Sequence, residues 1–411
     1  MKPFRRRLFA LAGYTTVFMG TGRPEFKPGS MPHFEAYLQE TAQGTSTQLP
    51  NSPGYDEGII GSFMSGRFLN QANLPGFLPF IAPSLLGKPC TAVEGACGTG
   101  GRAIATAARS ILAETSDLTF VAAFEMQNTM KSLYGADVLA GAAHYSRERQ
   151  QGHAYFFPGL FAERAGAYFA RYGEIKTREA LAKWYEQAIL NARHCPKAQE
   201  YHNTSSDLYT LGMTPPDANK FIPYLNYYDC SKVSDGAVSI VIASEEGLQK
   251  TGLQPQHAIE IIAIGEAQGD ITVDPEDPTV LSTTALAVQK ALEQAELTMQ
   301  DIGLLELHDC FSISGLLALE AIGVAKPGQG PEYMMEGHTG IKGKLPTNLS
   351  GGLIGFGHPT GASGVRQLVD LLHQFTKRAA NQATPRTPFG MLISMGGNDK
   401  TVTCVIVKSL Q

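Results

Sequence analysis

Cys97 lies in the run Glu94-Gly95-Ala96-Cys97-Gly98-Thr99-Gly100-Gly101, after a strand-like stretch from Cys90 to Ala96 and ahead of a glycine-rich helix start. A helix N-terminus offers unpaired N–H groups and a partial positive charge, which favour thiolate over thiol. The glycines let backbone and substrate approach closely. This is a setting for a nucleophile. Free cysteine is also a common small core residue, so the window alone leaves both readings open.

Three other clusters carry chemistry. Glu306-Leu307-His308-Asp309-Cys310-Phe311-Ser312 ends an apolar strand and precedes a helix reaching Gly323, which brings an imidazole and a second thiol to one rim. A capping aspartate beside a core cysteine is the competing explanation. Between Asn348 and Gly361, glycines crowd around His358, with Pro359 suited to a first helical turn. Ser394-Met395-Gly396-Gly397-Asn398 forms a turn before the last strand, where backbone N–H groups could face a developing oxyanion.

The elements that must position these clusters occur twice. Asp56-Glu57-Gly58-Ile59-Ile60 echoes Asp301-Ile302-Gly303-Leu304-Leu305, and Cys97-Gly98-Thr99-Gly100 echoes His358-Pro359-Thr360-Gly361. Ile104, Ala107, Ala108 and Ile111 then run in step with Val365, Leu368, Val369 and Leu372, the spacing of a helix with one buried face. Each half closes on a strand, Ala237 to Ile242 and Val402 to Val407. A pseudo-twofold would set His358 where Cys97 stands in the first half, so that the two helix starts face each other as a Cys–His pair for nucleophilic catalysis. Residues 1–124 with 232–257 form the first half and 258–411 the second. Residues 125–231 have no counterpart and are expected to fold over the first half as a lid, with an amphipathic helix from Arg178 to Ala192.

Composition bounds the rest. With 411 residues, 43% hydrophobic and 17% charged, the chain is an ordinary folded α/β protein of more than one unit. A formal net charge of -5 argues against nucleic-acid binding. No run approaches the ~20 apolar residues of a membrane span. Arg5-Arg6-Arg7 before Leu-Phe-Ala-Leu-Ala-Gly imitates a signal peptide, yet the stretch is short and reads better as a first strand. The six cysteines, 90, 97, 195, 230, 310 and 404, include no CxxC pair, which points to free thiols in a reducing, cytoplasmic setting. His194, Cys195 and His202 match no established metal spacing, and no metal is expected.

Cys97 in its strand-to-helix turn, His308-Asp309-Cys310-Phe311, Gly357-His358-Pro359-Thr360-Gly361 and Ser394-Met395-Gly396-Gly397 resemble the four catalytic loops of thiolases, in order and over nearly the whole chain. The His-Asp-Cys-Phe loop resembles the sterol-carrier-protein-2 type. The resemblance implies a thiolase fold of two βαβαβαββ halves in five αβαβα layers with an inserted loop domain. It implies Cys97 as the acylated nucleophile, His358 as its activator, His308 at an oxyanion hole and Cys310 as the acid/base thiol, because Ser394 replaces the C-terminal cysteine of most thiolases. The N–H groups of Cys97 and Gly396 would form a second oxyanion hole. The implied reaction is reversible thiolytic cleavage of 3-ketoacyl-CoA, or Claisen condensation of acetyl-CoA, in lipid and fatty acid metabolism. Coenzyme A is then a co-substrate, with no permanent cofactor, in a homodimer or tetramer paired through the first half's sheet edge. A decarboxylating ketosynthase and a catalytically silent thiolase-fold subunit of an acyltransferase complex are the alternatives. Asn398-Asp399-Lys400 is more polar than expected beside an acyl-CoA site.

Overall fold

A computed structural model of the chain describes residues 3–52 and 54–411. Its described strands are β1 (Leu8–Thr15), β2 (Glu57–Gly61), β3 (Cys90–Val93), β4 (Leu118–Met126), β5 (Asp235–Ala243), β6 (Ile259–Gln268), β7 (Ile302–Glu306), β8 (Phe389–Gly396) and β9 (Thr401–Ser409). They form one sheet in the order β3-β2-β4-β5-β1-β6-β9-β8-β7. The run after the three arginines is β1, a buried central strand.

The repeat is visible in the pairing. β2 is parallel to β4 and β4 antiparallel to β5, which is antiparallel to β1. Likewise β7 is parallel to β8 and β8 antiparallel to β9, which is antiparallel to β6. β3 beside β2 has a reduced counterpart, the single parallel bridge between Leu305 and Thr347. The halves join edge to edge where Leu8, Phe9 and Ala10 of β1 meet Ile261, Glu260 and Ile259 of β6.

Helix α1 (Phe34–Ser46) packs on β1, β4 and β5. Helices α2 (Thr99–Leu112) and α7 (Ser363–Phe375) pack on each other and on strands of both halves, while α5 (Ser282–Ala295) covers β6 and β9. The result is five layers, helix, sheet, helix pair, sheet and helix. β4 and β5 are buried at all nine positions each, as expected of strands covered on both faces, which therefore read as continuous apolar runs. The two matched apolar sets are at most 2% exposed, and they face into the central layer.

Two expectations change. The long helices of the 125–231 segment, α3 (Phe156–Tyr172) and α4 (Glu174–Ala192), pack chiefly on the second half, against α6 (Ser312–Ala321). That helix presents Ile313, Leu316 and Leu317, an apolar face that needs cover and joins Phe161, Leu181 and Trp184 in one core. The segment also reaches the first half, through Ala142 with Phe63 and Ala96, and through Ala192, Cys195 and Ala198, which share a core with Leu8, Ala10 and Phe18. Pro359 also stands ahead of its helix: α7 begins at Ser363, and Pro359 O accepts the N–H groups of Ala362 and Ser363 at 3.0 and 3.1 Å.

Candidate active site

Cys97 occupies a single tight turn, Ala96–Gly98, that runs straight into α2. Ala96 before it is held at φ +54°, a conformation rare for a side-chain-bearing residue and concentrated at functional turns. Thr99 Oγ1 fixes the turn by accepting from Gly95 N at 3.0 Å and donating to Ala96 O at 2.6 Å. The backbone amides of Gly397 and of Cys97 itself lie near enough to the sulfur to favour its charge. These amides favour thiolate, as the helix start suggested, but they are outweighed. Burial, then the nearby Glu125 carboxylate, push the thiol up to about 12. Cys97 therefore rests as a thiol and needs a base within reach.

Two imidazoles lie beside it. The Cys97 sulfur and a ring nitrogen from each of His308 and His358 all fall within 4.8 Å of one another, and the two rings meet edge to face at 5.1 Å. Ser363 Oγ lies 2.7 Å from His358 Nδ1 and is also placed to donate to Pro359 O at 3.0 Å, an arrangement that favours the tautomer with its hydrogen on Nδ1. His358 Nε2 is left with a lone pair, buried and without a hydrogen-bond partner. His308 is the complement: its Nδ1 accepts Met395 N–H at 3.3 Å, so Nε2 presents an N–H. Both rings stay neutral. Burial, then the cation of Arg366, hold His308 down to about 3, while burial, His308 and Arg366 hold His358 well below its ordinary value. Arg366 is 0% exposed, donates to Ser350 Oγ at 2.7 Å and pairs with Asp370.

The three atoms also suit a metal by type. His308, however, has its only lone pair occupied by Met395 N–H, which makes the trio one donor and one acceptor around a thiol.

Cys310 is 7% exposed, with Ser314 Oγ 3.8 Å from its sulfur. Burial pushes its thiol well above the usual range. Asp309 turns away from the reacting groups. It accepts Leu353 N–H at 2.7 Å and Trp184 Nε1–H at 3.0 Å, tying the glycine loop and α4 to the strand end. Ser394 accepts Gly101 N–H at 3.3 Å and lies buried under α2. Gly396 abuts the Cys97 turn so closely that a Cβ on it would sit 2.1 Å from Gly95 O.

The polar Asn398-Asp399-Lys400 turn has a structural use. Asp399 accepts Thr283 N and Thr284 N at 2.9 and 3.0 Å, capping α5, while Lys400 Nζ donates to Asp270 O and Val273 O. His194, Cys195 and His202 do not assemble into a ligand set among the described residues.

Glu125 escaped the sequence reading. At the end of β4 its carboxylate accepts from Ser62 Oγ, Phe63 N, Met64 N, Thr360 Oγ1 and Gly361 N at 2.7–3.2 Å, clamping the loop after β2 to the His358 loop. The available signal was an acid inside the apolar run Leu118 to Met126. Ser234, whose Oγ accepts His358 N–H at 2.9 Å, was also missed.

A family model described as thiolase C-terminal domain-like matches residues 266–409. The chain is 31% identical over 347 residues to an acetyl-CoA acetyltransferase of Methanothermobacter thermautotrophicus, covering 84% of this chain and 86% of that protein. It is 27% identical over 395 residues to non-specific lipid-transfer protein-like 2 of Caenorhabditis elegans, covering 92% of each. Among solved structures, a chain of an Ltp2–ChsH2(DUF35) aldolase superposes with a TM-score of 0.80 at 17% identity over 98% of each chain. Human mitochondrial 3-ketoacyl-CoA thiolase in complex with CoA gives 0.71 at 16% identity over the whole of each chain. A duplicated sheet around two crossed helices, a cysteine and two histidines at the helix starts, and a relative of this identity and coverage converge: the chain belongs to the thiolase family of acyltransferases.

Proposed function

We propose that the protein catalyses reversible thiolytic cleavage of a 3-ketoacyl-CoA, or the reverse Claisen condensation of acetyl-CoA, through an acyl-Cys97 thioester. The observation that carries this reading is the unpartnered His358 Nε2 lone pair beside a Cys97 thiol that burial keeps protonated. His358 takes the Cys97 proton as the sulfur attacks the carbonyl carbon. The His308 Nε2–H donor supports a developing oxyanion, and the N–H groups of Cys97 and Gly396 serve a second one. In cleavage the carbon–carbon bond breaks, Cys310 protonates the departing acetyl-CoA carbanion, and a CoA thiol removes the acyl group. In condensation the Cys310 thiolate takes the α-proton of acetyl-CoA, and the carbanion attacks acyl-Cys97.

Residues 1–124 with 232–257 and residues 258–411 act as the two halves, with 125–231 as the lid. Acyl-CoA is the substrate and CoA a co-substrate, in keeping with CoA in the human thiolase structure. Open edge strand β3, with Thr91 and Ala92 exposed, suits pairing with a second copy. Six free cysteines support a reducing, cytoplasmic setting, and no described helix is long and apolar enough to cross a membrane.

A second reading has one observation in its favour. The aldolase chain superposes at 0.80 against 0.71 for the human thiolase, and it belongs to an Ltp2–ChsH2(DUF35) aldolase. This chain would then work with, or only scaffold, a partner subunit. Incubation of purified protein with acetyl-CoA and peptide mass analysis separates the two. An acetyl group on Cys97, absent in Cys97→Ala and retained in Cys310→Ala, supports thiolase. No adduct on the wild-type enzyme favours the partner-dependent reading.

A further inference from the structure

The loop that carries Cys310 is held by two sets of partners, one on each side of the thiol. On the His308 side most of them come from residues 348–395. Leu307 N donates to Asn348 Oδ1 at 2.7 Å, His308 Nδ1 accepts Met395 N–H, and Asp309 accepts Leu353 N–H as well as Trp184 Nε1–H. From Cys310 onward the partners belong to the end of the 125–231 segment. Cys310 O accepts Ser231 N–H at 2.9 Å, Cys230 and Phe311 form an antiparallel bridge, and Ser312 Oγ donates to Asp229 Oδ1 at 2.6 Å.

Asp229 is 0% exposed, and each of its carboxylate oxygens takes two donors. Oδ1 accepts from Arg178 Nη2 and Ser312 Oγ, both at 2.6 Å, and Oδ2 accepts from Arg178 Nη1 and Asn226 N, both at 2.7 Å. Asn226 returns the contact, its Oδ1 accepting Tyr228 N and Asp229 N while Nδ2 donates to Gly212 O and Thr214 O. Every bond that could aim the carboxylate is made. A buried ion pair adds little net stability, because desolvation offsets the attraction, but the planar guanidinium fork fixes orientation. What this fork orients is the hydroxyl that opens α6, two residues past Cys310.

We propose that Asp229 is a positioning residue for the Cys310 thiol: clamped by Arg178 of α4, it anchors Ser312 and so keeps the sulfur in place for the carbon–carbon half of the reaction. The inference rests on the acid/base role proposed for Cys310. The nucleophile has other anchors. Thr99 Oγ1 fixes the Cys97 turn, and the main-chain N–H and C=O of His358 are taken by Ser234 Oγ and Gln127 Nε2, each at 2.9 Å. Loosening the Asp229 latch therefore slows proton transfer at Cys310 and leaves acylation of Cys97 in place. In that transfer the Cys310 thiolate takes an α-proton of acetyl-CoA and the C–H electron pair passes into the enolate. In D2O the sulfur exchanges its proton with solvent and returns a deuteron to the carbon.

The test reads two rates on each purified protein with acetyl-CoA in D2O: deuterium entering the acetyl methyl group, and acetyl-Cys97 formation by peptide mass. Ser312→Ala leaves the Arg178–Asp229 pair intact. It is expected to slow exchange roughly tenfold, as a shift of well under ~1 Å can do, with acylation within about threefold of wild type. Asp229→Asn also strands the Arg178 charge and should lose at least as much exchange. If that variant does not fold, Ser312→Ala decides the matter. Exchange that stops in Cys310→Ala but is unchanged in Ser312→Ala overturns the proposal alone. Equal loss of exchange and acylation in Ser312→Ala also overturns it, because a general loosening of the fold would do the same. Exchange that persists in Cys310→Ala, or is absent from the wild-type protein, takes the acid/base role from Cys310, and the proposal falls with it.

Discussion

Gly100 of α2 lies against Gly364 of α7 with backbone touching backbone. A Cβ on Gly100 would stand 2.7 Å from Gly364 Cα and 2.6 Å from Val365 N, and one on Gly364 would stand 2.6 Å from Gly101 N. This crossing brings Cys97, three residues before Gly100, to His358, six before Gly364. The approach is set by main chain, so no rotamer change relieves an added methyl group.

Gly100→Ala is therefore expected to destabilise the fold by about 1–3 kcal/mol and to part the two helix starts. Urea unfolding monitored alongside acetyl-Cys97 formation checks it. Wild-type acylation in a fully folded Gly100→Ala protein would count against the crossing as what sets the Cys97–His358 distance.

Ser363 fixes which nitrogen of His358 carries the proton. Without the hydroxyl the ring is free to present Nε2–H to Cys97, the wrong partner for a thiol. Ser363→Ala should slow acylation roughly ten- to hundredfold, within the range of general base catalysis, with acetyl-CoA binding little changed. A rate within twofold of wild type would remove Ser363 from the machinery.

In the proposed mechanism the proton leaving Cys97 passes to a histidine that is neutral throughout the physiological range, since His358 is held well below its ordinary value. Cys97 acylation should accordingly show no inflection near pH ~6.5, where an unperturbed histidine titrates. Single-turnover acylation measured from mildly acidic to mildly alkaline pH tests this, and a limb centred near 6.5 would contradict it.

The same histidines make the fold acid-sensitive. His308 is neutral when folded down to about 3 and titrates at 6.5 as a model group, so the unfolded chain binds its proton first. A base with a depressed folded value contributes stability that is present above pH 6.5 and lost as pH falls toward about 3. His373, held down to about 4 by burial and then Arg378, acts in the same direction. The urea midpoint should fall between pH 7 and 5, and His308→Asn should flatten that decline.

Lysine at Thr91 and Ala92 puts charge on the open β3 edge and should shift any dimer toward monomer at micromolar concentration. Sedimentation velocity reads the outcome. A wild-type protein that is already monomeric refutes edge pairing.

Much of the centre was legible in the sequence because the information is local. The Cys97 and His358 tetrapeptides lead into helices whose buried faces repeat at i, i+3, i+4 and i+7, and a histidine with a cysteine at the end of β7 must share a rim. Long-range contacts were not legible. The donors to Glu125 come from residues 62–64 and 360–361, distant in the chain, and only the folded sheet brings them together. The side of the molecule covered by α3 and α4 depended on the apolar face of α6, more than a hundred residues onward. The Cys97 thiol moved opposite to the helix-end expectation because burial and Glu125, neither visible in the Gly-rich window, outweigh the amides.

The position of β1 has a bearing on how the chain is made. This first strand pairs with β5, Phe9 opposite Ala243, and with β6, Phe9 opposite Glu260. On a ribosome adding ~5–20 residues per second, it waits roughly ten seconds to most of a minute before either neighbour exists. Until then Leu8, Phe9 and Leu11, each at most 1% exposed in the finished protein, emerge as an unpaired apolar edge. Assembly is thereby deferred until the insertion has been synthesised, and truncations ending before residue 235 should aggregate through their own N-termini.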